Sequence, residues 1–187
     1  VTGTSPDWPG QVVDQLEFHW EHSLWPRLQG MEDDEFFWEP VEGCWSVRPG
    51  PDGAFAADWA VPAPQPPPVT TIAWRLGHMV VAVLELRLDR HFGPREMDLA
   101  DTRWPGSADE ARDRLHAACR RWCAELRALA PEAFAAPVGD AEPPQWSAEP
   151  FATLALHVNR ELIHHGAEVA LLRDLYRSHP AHIRDAL

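Results

Sequence analysis

The chain has 187 residues and a formal charge of -13 at pH 7, and it contains no lysine, so every fixed cation is an arginine. That charge excludes a nucleic-acid backbone or an anionic membrane surface as partner, because either would need a basic footprint. The length suits a single domain over residues 1–187, with a core large enough to stand without disulfides or a structural metal.

The opening "VTGTSPDWPG" is polar and turn-forming, with no apolar run after a basic start. No apolar stretch reaches membrane-spanning length without a charge interrupting it, so a soluble, cytoplasmic protein is expected. A first helix is predicted from about Gln11 to Gln29, where Val13, Leu16, Trp20, Leu24 and Leu28 recur at helical spacing. His19 and His22 flank that stripe, and Pro26 either kinks the helix or opens a new turn. The segment "MEDDEFFWEPVEGCWSVRPGPDGAFAADWAVPAPQPPPV" follows, rich in proline, glycine and aromatics and without a sustained period. It reads as a long loop that folds its Trp38, Trp45 and Trp59 back over the helices.

A second helix is expected from about Thr71 to His91, capped by Thr70 or Thr71 and stopped by Gly93-Pro94. Its centre, "IAWRLGHMVVAVLELRL", is apolar on more than one side, which places it centrally and leaves apolar surface that allows a homodimer. A third helix begins after Ser107, which with Glu110 forms a capping-box signature, and ends at Pro131. Leu115, Cys119, Trp122, Leu126 and Leu129 form its buried face. Cys119 and Cys123 are four apart on that helix, poorly spaced for a disulfide, and read as small buried residues in a reduced compartment. A fourth helix is expected from Ser147 to Tyr176, with Pro150 in its first turn. Leu154, Val158, Leu162, Val169 and Leu172 form its buried side, and Gly166 interrupts it where another backbone comes close. The prediction is an all-α, up-down four-helix bundle with long Pro/Trp-rich loops and strand content near zero.

The chemistry concentrates in "HVNRELIHHG", residues 157–166. With Leu154 at zero and 100° per residue, Glu161 falls at about -20° and His165 at about 20°, inside the apolar sector. His157 sits at the edge of that sector, His164 points further round, and Glu168 is again close to it. A buried carboxylate without a partner is costly, so Glu161 needs one. Glu161 and His165, one turn apart, suit a shared metal ion, and a third ligand must come from another segment. His78, central in the second helix, is the candidate, leaving a fourth position for water or substrate. An internally hydrogen-bonded Glu/His pair, with His78 bonded elsewhere, is the other reading of the same residues.

"TIAWRLGHMVVAV", "NRELIHHGAEVALLRDLYR" and "FFWEPVEGCWSVRP" together resemble the DinB/YfiT-like superfamily, the last being similar to a loop of many actinobacterial members. The resemblance spans nearly the whole chain. It implies a divalent metal, zinc or nickel, held by one histidine of the second helix and two residues of the fourth. By position these are His78, Glu161 and His165, a glutamate standing where the family usually carries histidine. The exchange makes harder ions such as manganese more competitive. His164 and His157 are rival ligands to His165 and Glu161.

The resemblance also implies S-transfer from a low-molecular-weight thiol, such as mycothiol, to a small electrophile. Arg48, Arg75, Arg103 and Arg160 are candidate thiol contacts, Trp45 and Trp74 candidate pocket walls, and Cys44 a loop cysteine within reach of the site. Two alternatives stand beside it. One is a noncatalytic binding or stress-response protein; the other is a metal-dependent hydrolase with Glu168 as base.

Overall fold

The computed structural model describes residues 7–183, apart from the side chains of residues 182 and 183, and its fold is all-α. Part of the opening stretch, residues 1–6, lies outside the described residues. Helix α1, Trp8–His19, starts three residues earlier than its apolar stripe suggests. Asp7 caps it by accepting the Gly10 N–H at 3.0 Å, and Pro9 fits the first turn, where its missing N–H is not needed. The chain then widens into a π-helical segment, Trp20–Leu24, before α2, Trp25–Leu28. Pro26 therefore sits at the start of a new helical turn, with the π segment absorbing the break.

The long loop is more ordered than its composition suggests. It holds a short helix, α3, Asp33–Phe36, and two three-residue strands, β1 (Val47–Pro49) and β2 (Phe55–Ala57), paired antiparallel with Val47 opposite Ala57. This hairpin departs from the expected near-absence of strand only in a small ribbon. Gly53, at φ +79°, supplies the left-handed residue of its turn. The loop does fold back over the helices. Asp58 accepts the Trp74 indole N–H at 2.9 Å, Trp45 bridges to Val69 and Thr71 through backbone hydrogen bonds, and Trp38 meets Tyr176 edge-on.

The second predicted helix is one continuous rod in three parts: α4, Ile72–Gly77; a π-helical segment, His78–Glu85; and α5, Leu86–Phe92. Thr71 caps it by accepting the Trp74 N–H at 3.2 Å. Its apolar excess lies inside the chain: Met79, Val80, Val81, Val83 and Leu84 are buried. Helix α6, Ala108–Ala128, is capped by Ser107, which accepts the Glu110 N–H. The Glu110 carboxylate accepts from Gly106 rather than from the cap residue, so the capping box is displaced by one position. Short α7, Pro131–Ala135, precedes α8, Phe151–Ser178, and α9, Pro180–Ile183. Pro150 is the N-cap of α8 and not a first-turn residue, because residues 143–149 form turns that bond back to Val138 and Gly139.

Helices α1, α6 and α8 and the α4–α5 rod pack around one core that includes Leu16, Leu76, Met79, Leu115, Trp122, Val158 and Leu162. Two details of α8 differ from expectation. Leu172 is only partly buried, while its neighbour Arg173 is 1% exposed and paired with Glu35. Gly166 receives side chains, not backbone: a Cβ there would lie 3.1 Å from Leu24 Cδ2 and 3.3 Å from His19 Nε2. Among the described residues no helix is long and apolar enough to cross a membrane.

Candidate metal centre

His78 enters from the middle of the α4–α5 rod, where the π segment begins, and Glu161 and His165 enter from α8, one turn apart. Their ligand atoms lie within 4.8 Å of one another. Glu161 Oε2 stands 3.2 Å from His165 Nε2 and 3.8 Å from His78 Nε2. A tetrahedral ion with bonds near 2.0–2.2 Å spaces its ligand atoms by roughly 3.3–3.5 Å. The two separations from Glu161 bracket that value, so the donor set suits a divalent ion. Two neutral imidazoles and one carboxylate are also a usual donor chemistry for such an ion.

The surroundings hold each donor in place. His165 is buried, and its Nδ1 donates to Glu168 Oε2 at 2.7 Å, which turns Nε2 toward Glu161. Arg75 in turn grips Glu168 at 3.1 Å. Trp74 stacks on His78 at 5.2 Å with an interplanar angle of 11°, and Trp59 stacks on Trp74 at 5.8 Å. The π segment, of a kind that recurs at functional sites, starts at this histidine. Immediately before it, Gly77 lets the Trp104 ring approach so closely that an added Cβ would lie 2.6 Å from it.

The electrostatics favour ligand-competent forms. His78 foremost, then His157 and His165, hold the Glu161 carboxyl down to about 2 against the opposing effect of burial. Burial lowers the His165 pKa; Glu168 opposes the shift, while the charges of His78 and Arg75 reinforce it. The imidazole therefore stays neutral, with a lone pair available, over more of the pH range than a solvated histidine.

The rival ligands fall outside this convergence. The exposed side chain of His164 lies 3.4 Å from Glu168 Oε1. It forms a second group with His165 and Glu168, drawn from one helix and sharing His165 with the first. His157 Nδ1 lies 3.5 Å from Glu161 Oε1, the oxygen turned away from the two histidines. His19 and His22 are not in either group.

The other expected residues divide similarly. Arg75 and Trp74 are at the centre, whereas Arg48 is held by Glu39 and Asp58 and Arg160 by His157. Trp45 lies 6.1 Å from Trp74, one ring further out. Cys44 is buried and donates to the Val41 carbonyl at 3.0 Å, so its sulfur is committed within its own loop. The stacking of Trp59 and the link from Arg75 through Glu168 to His165 were not readable from sequence, because both depend on where a loop and a second helix come to rest.

No curated protein and no solved structure matches the chain. Among protein-family models, that of the DinB superfamily matches residues 15–169, which includes His78, Glu161 and His165. On a match that runs from α1 into α8, the chain belongs to the DinB superfamily.

Proposed function

We propose that this protein is a DinB-type four-helix-bundle metalloprotein that holds a divalent ion through His78, Glu161 and His165. We further propose that it catalyses transfer of a low-molecular-weight thiol, of the mycothiol type, to small electrophiles. The observation that carries the reading is the convergence of three donors from two helices, one of them oriented by Glu168. A divalent ion at that position lowers the pKa of a thiol or water presented to it and offsets the negative charge that develops. The protein's own part is to bind and orient. Glu168 fixes the His165 tautomer, the Trp59–Trp74 stack covers one face of His78, and Arg75 holds Glu168.

Two observations favour an external thiol as nucleophile. Cys44 is tied to Val41, and Cys119 and Cys123 are buried in α6. The hydrolase alternative needs Glu168 as a free base, yet that carboxylate already contacts His165, Arg75 and His164. The carboxylate at position 161 leaves zinc, nickel and manganese as competitors for the site.

Metal content after purification, in the wild type and in His165→Ala, tests the site. A stoichiometric ion lost in the variant supports it, and a wild type that refuses zinc, nickel and manganese overturns it. Consumption of a model electrophile with and without a small thiol tests the reaction. Turnover independent of thiol overturns the transferase.

A further inference from the structure

One helical turn from Glu161, toward the N-terminus of α8, lies a second feature: a cavity of about 330 Å³ between the α4–α5 rod, the 138–149 turns and α8. Its inner end holds Arg87 and Glu142, its mouth Arg160 and Trp146, and its walls Val138 and Leu154.

The charges at the inner end do not balance. The buried carboxylate of Glu142 faces two guanidiniums, with Arg87 Nε and Arg90 Nη1 each 3.5 Å away, and His91 at 3.1 Å. One anion between two fixed cations leaves a positive charge over. Arg87 donates Nη1 to the Ala82 carbonyl, but its Nε is buried without a hydrogen-bond partner, Glu142 being within ion-pair range but out of line. Burial lowers the Arg87 pKa, and Glu142 only partly opposes it. Arg160 adds a further cation at the mouth, its Nε 3.8 Å from Glu161 Oε1, and the exposed Glu149 also lines the cavity. The excess of cation is confined to the inner end, where Arg87 and Arg90 flank the single carboxylate of Glu142. The remaining wall is apolar and includes the broad, half-exposed face of Trp146.

We infer that this cavity seats a small carboxylate-bearing substrate with a flat apolar body, its anion held by Arg87 and Arg160 and its body laid against Trp146. The seat adjoins the metal position through His157, which lines the cavity and stands 3.5 Å from Glu161. The inference rests on the proposed metal chemistry for what happens to the bound molecule, but not for its binding. A guanidinium fork matches a carboxylate and discriminates against the amide of the same shape. The seat therefore selects acids over neutral isosteres.

The test uses benzoate and benzamide as probes, titrated into the full chain in its metal-free and zinc-loaded forms and followed by tryptophan fluorescence. Benzoate is expected to bind both forms, and benzamide roughly tenfold or more weakly. Arg160→Gln is expected to weaken benzoate about tenfold. Arg87→Met should do the same, and because it alters a buried ion-pair cluster, Arg160→Gln carries the test if that variant does not fold. Equal binding of the two probes, or no effect of Arg160→Gln, overturns the inference. Benzoate binding confined to the zinc form and indifferent to Arg160 also overturns it, because the probe is then an ordinary ligand of the ion. A wild type that takes no metal yet binds benzoate through Arg160 upholds the cavity while removing the proposed metal chemistry.

Discussion

Glu168 accepts the Nδ1 proton of His165 at 2.7 Å, and this one bond decides which nitrogen of the imidazole faces Glu161. Removing it leaves all three proposed ligands in place but frees the ring to rotate and to change tautomer. Glu168→Ala is expected to weaken metal binding roughly 10- to 100-fold while His165→Ala abolishes it. Competition against a chromogenic chelator measures both. Equal affinity in Glu168→Ala and wild type would show that this side chain does not orient the ring.

The metal-free protein should lose stability in acid through two carboxylates. Glu161 is held down to about 2, by His78 first, and Glu142 is held below its ordinary value because His91, Arg87 and Arg90 together outweigh burial. For a depressed carboxyl, the unfolded chain takes up the proton first. The stabilisation is therefore complete above the ordinary carboxylate range and is lost as the pH falls toward 2. Urea midpoints taken between pH 6 and pH 2.5 should fall steeply below about 4.5. Glu142→Gln should flatten part of that fall.

Arg173 and Glu35 form the most buried ion pair described, at 2.7 and 2.9 Å through two parallel bonds. Arg173 also donates to the carbonyls of Arg27 and Gln29, so the pair ties α8 to the end of α2 and to α3. Removing one partner leaves a charge buried without compensation. Arg173→Met or Glu35→Gln is expected to cost about 3–5 kcal/mol, read from denaturant unfolding. The double variant should recover part of that loss.

Gly77→Ala offers a separate probe of the ligand rod. The new methyl would meet the Trp104 ring and approach Val47, and the backbone φ of -58° at this residue adds no strain of its own. Overpacking of this kind costs about 1–3 kcal/mol. Since His78 is the next residue, metal affinity should fall with it, and a variant of unchanged melting temperature and unchanged affinity would refute the close fit.

Much of this was legible in the residues. The apolar stripes of α1, α6 and α8 gave their buried faces, and the wheel position of Glu161 and His165 put them beside a core that His78 also enters. Caps with a local signature, Thr71 and Ser107, stand where their side chains predict. What escaped notice depends on distance in sequence. Nothing local marks Arg173 as buried, because its partner lies 138 positions away, and Leu172 beside it took the buried role in a pattern that counts only hydrophobicity. The cluster at Arg87 and Glu142 joins residues 87–91 to residue 142, 51 to 55 positions away, and no spacing rule connects them.

The wide turns of the α4–α5 rod have a consequence for angular register. Nine residues separate His78 from Arg87, and at 100° each an ordinary α-helix would set them about 180° apart, on opposite sides. The wider i→i+5 turns of His78–Glu85 advance each residue by less and so reduce that angle. Both then address α8: His78 touches Glu161, and Glu161 also acts electrostatically on Arg87. Unwinding thus helps one rod present an imidazole and a guanidinium to the same neighbour, which a uniformly α-helical rod would hold on opposite sides.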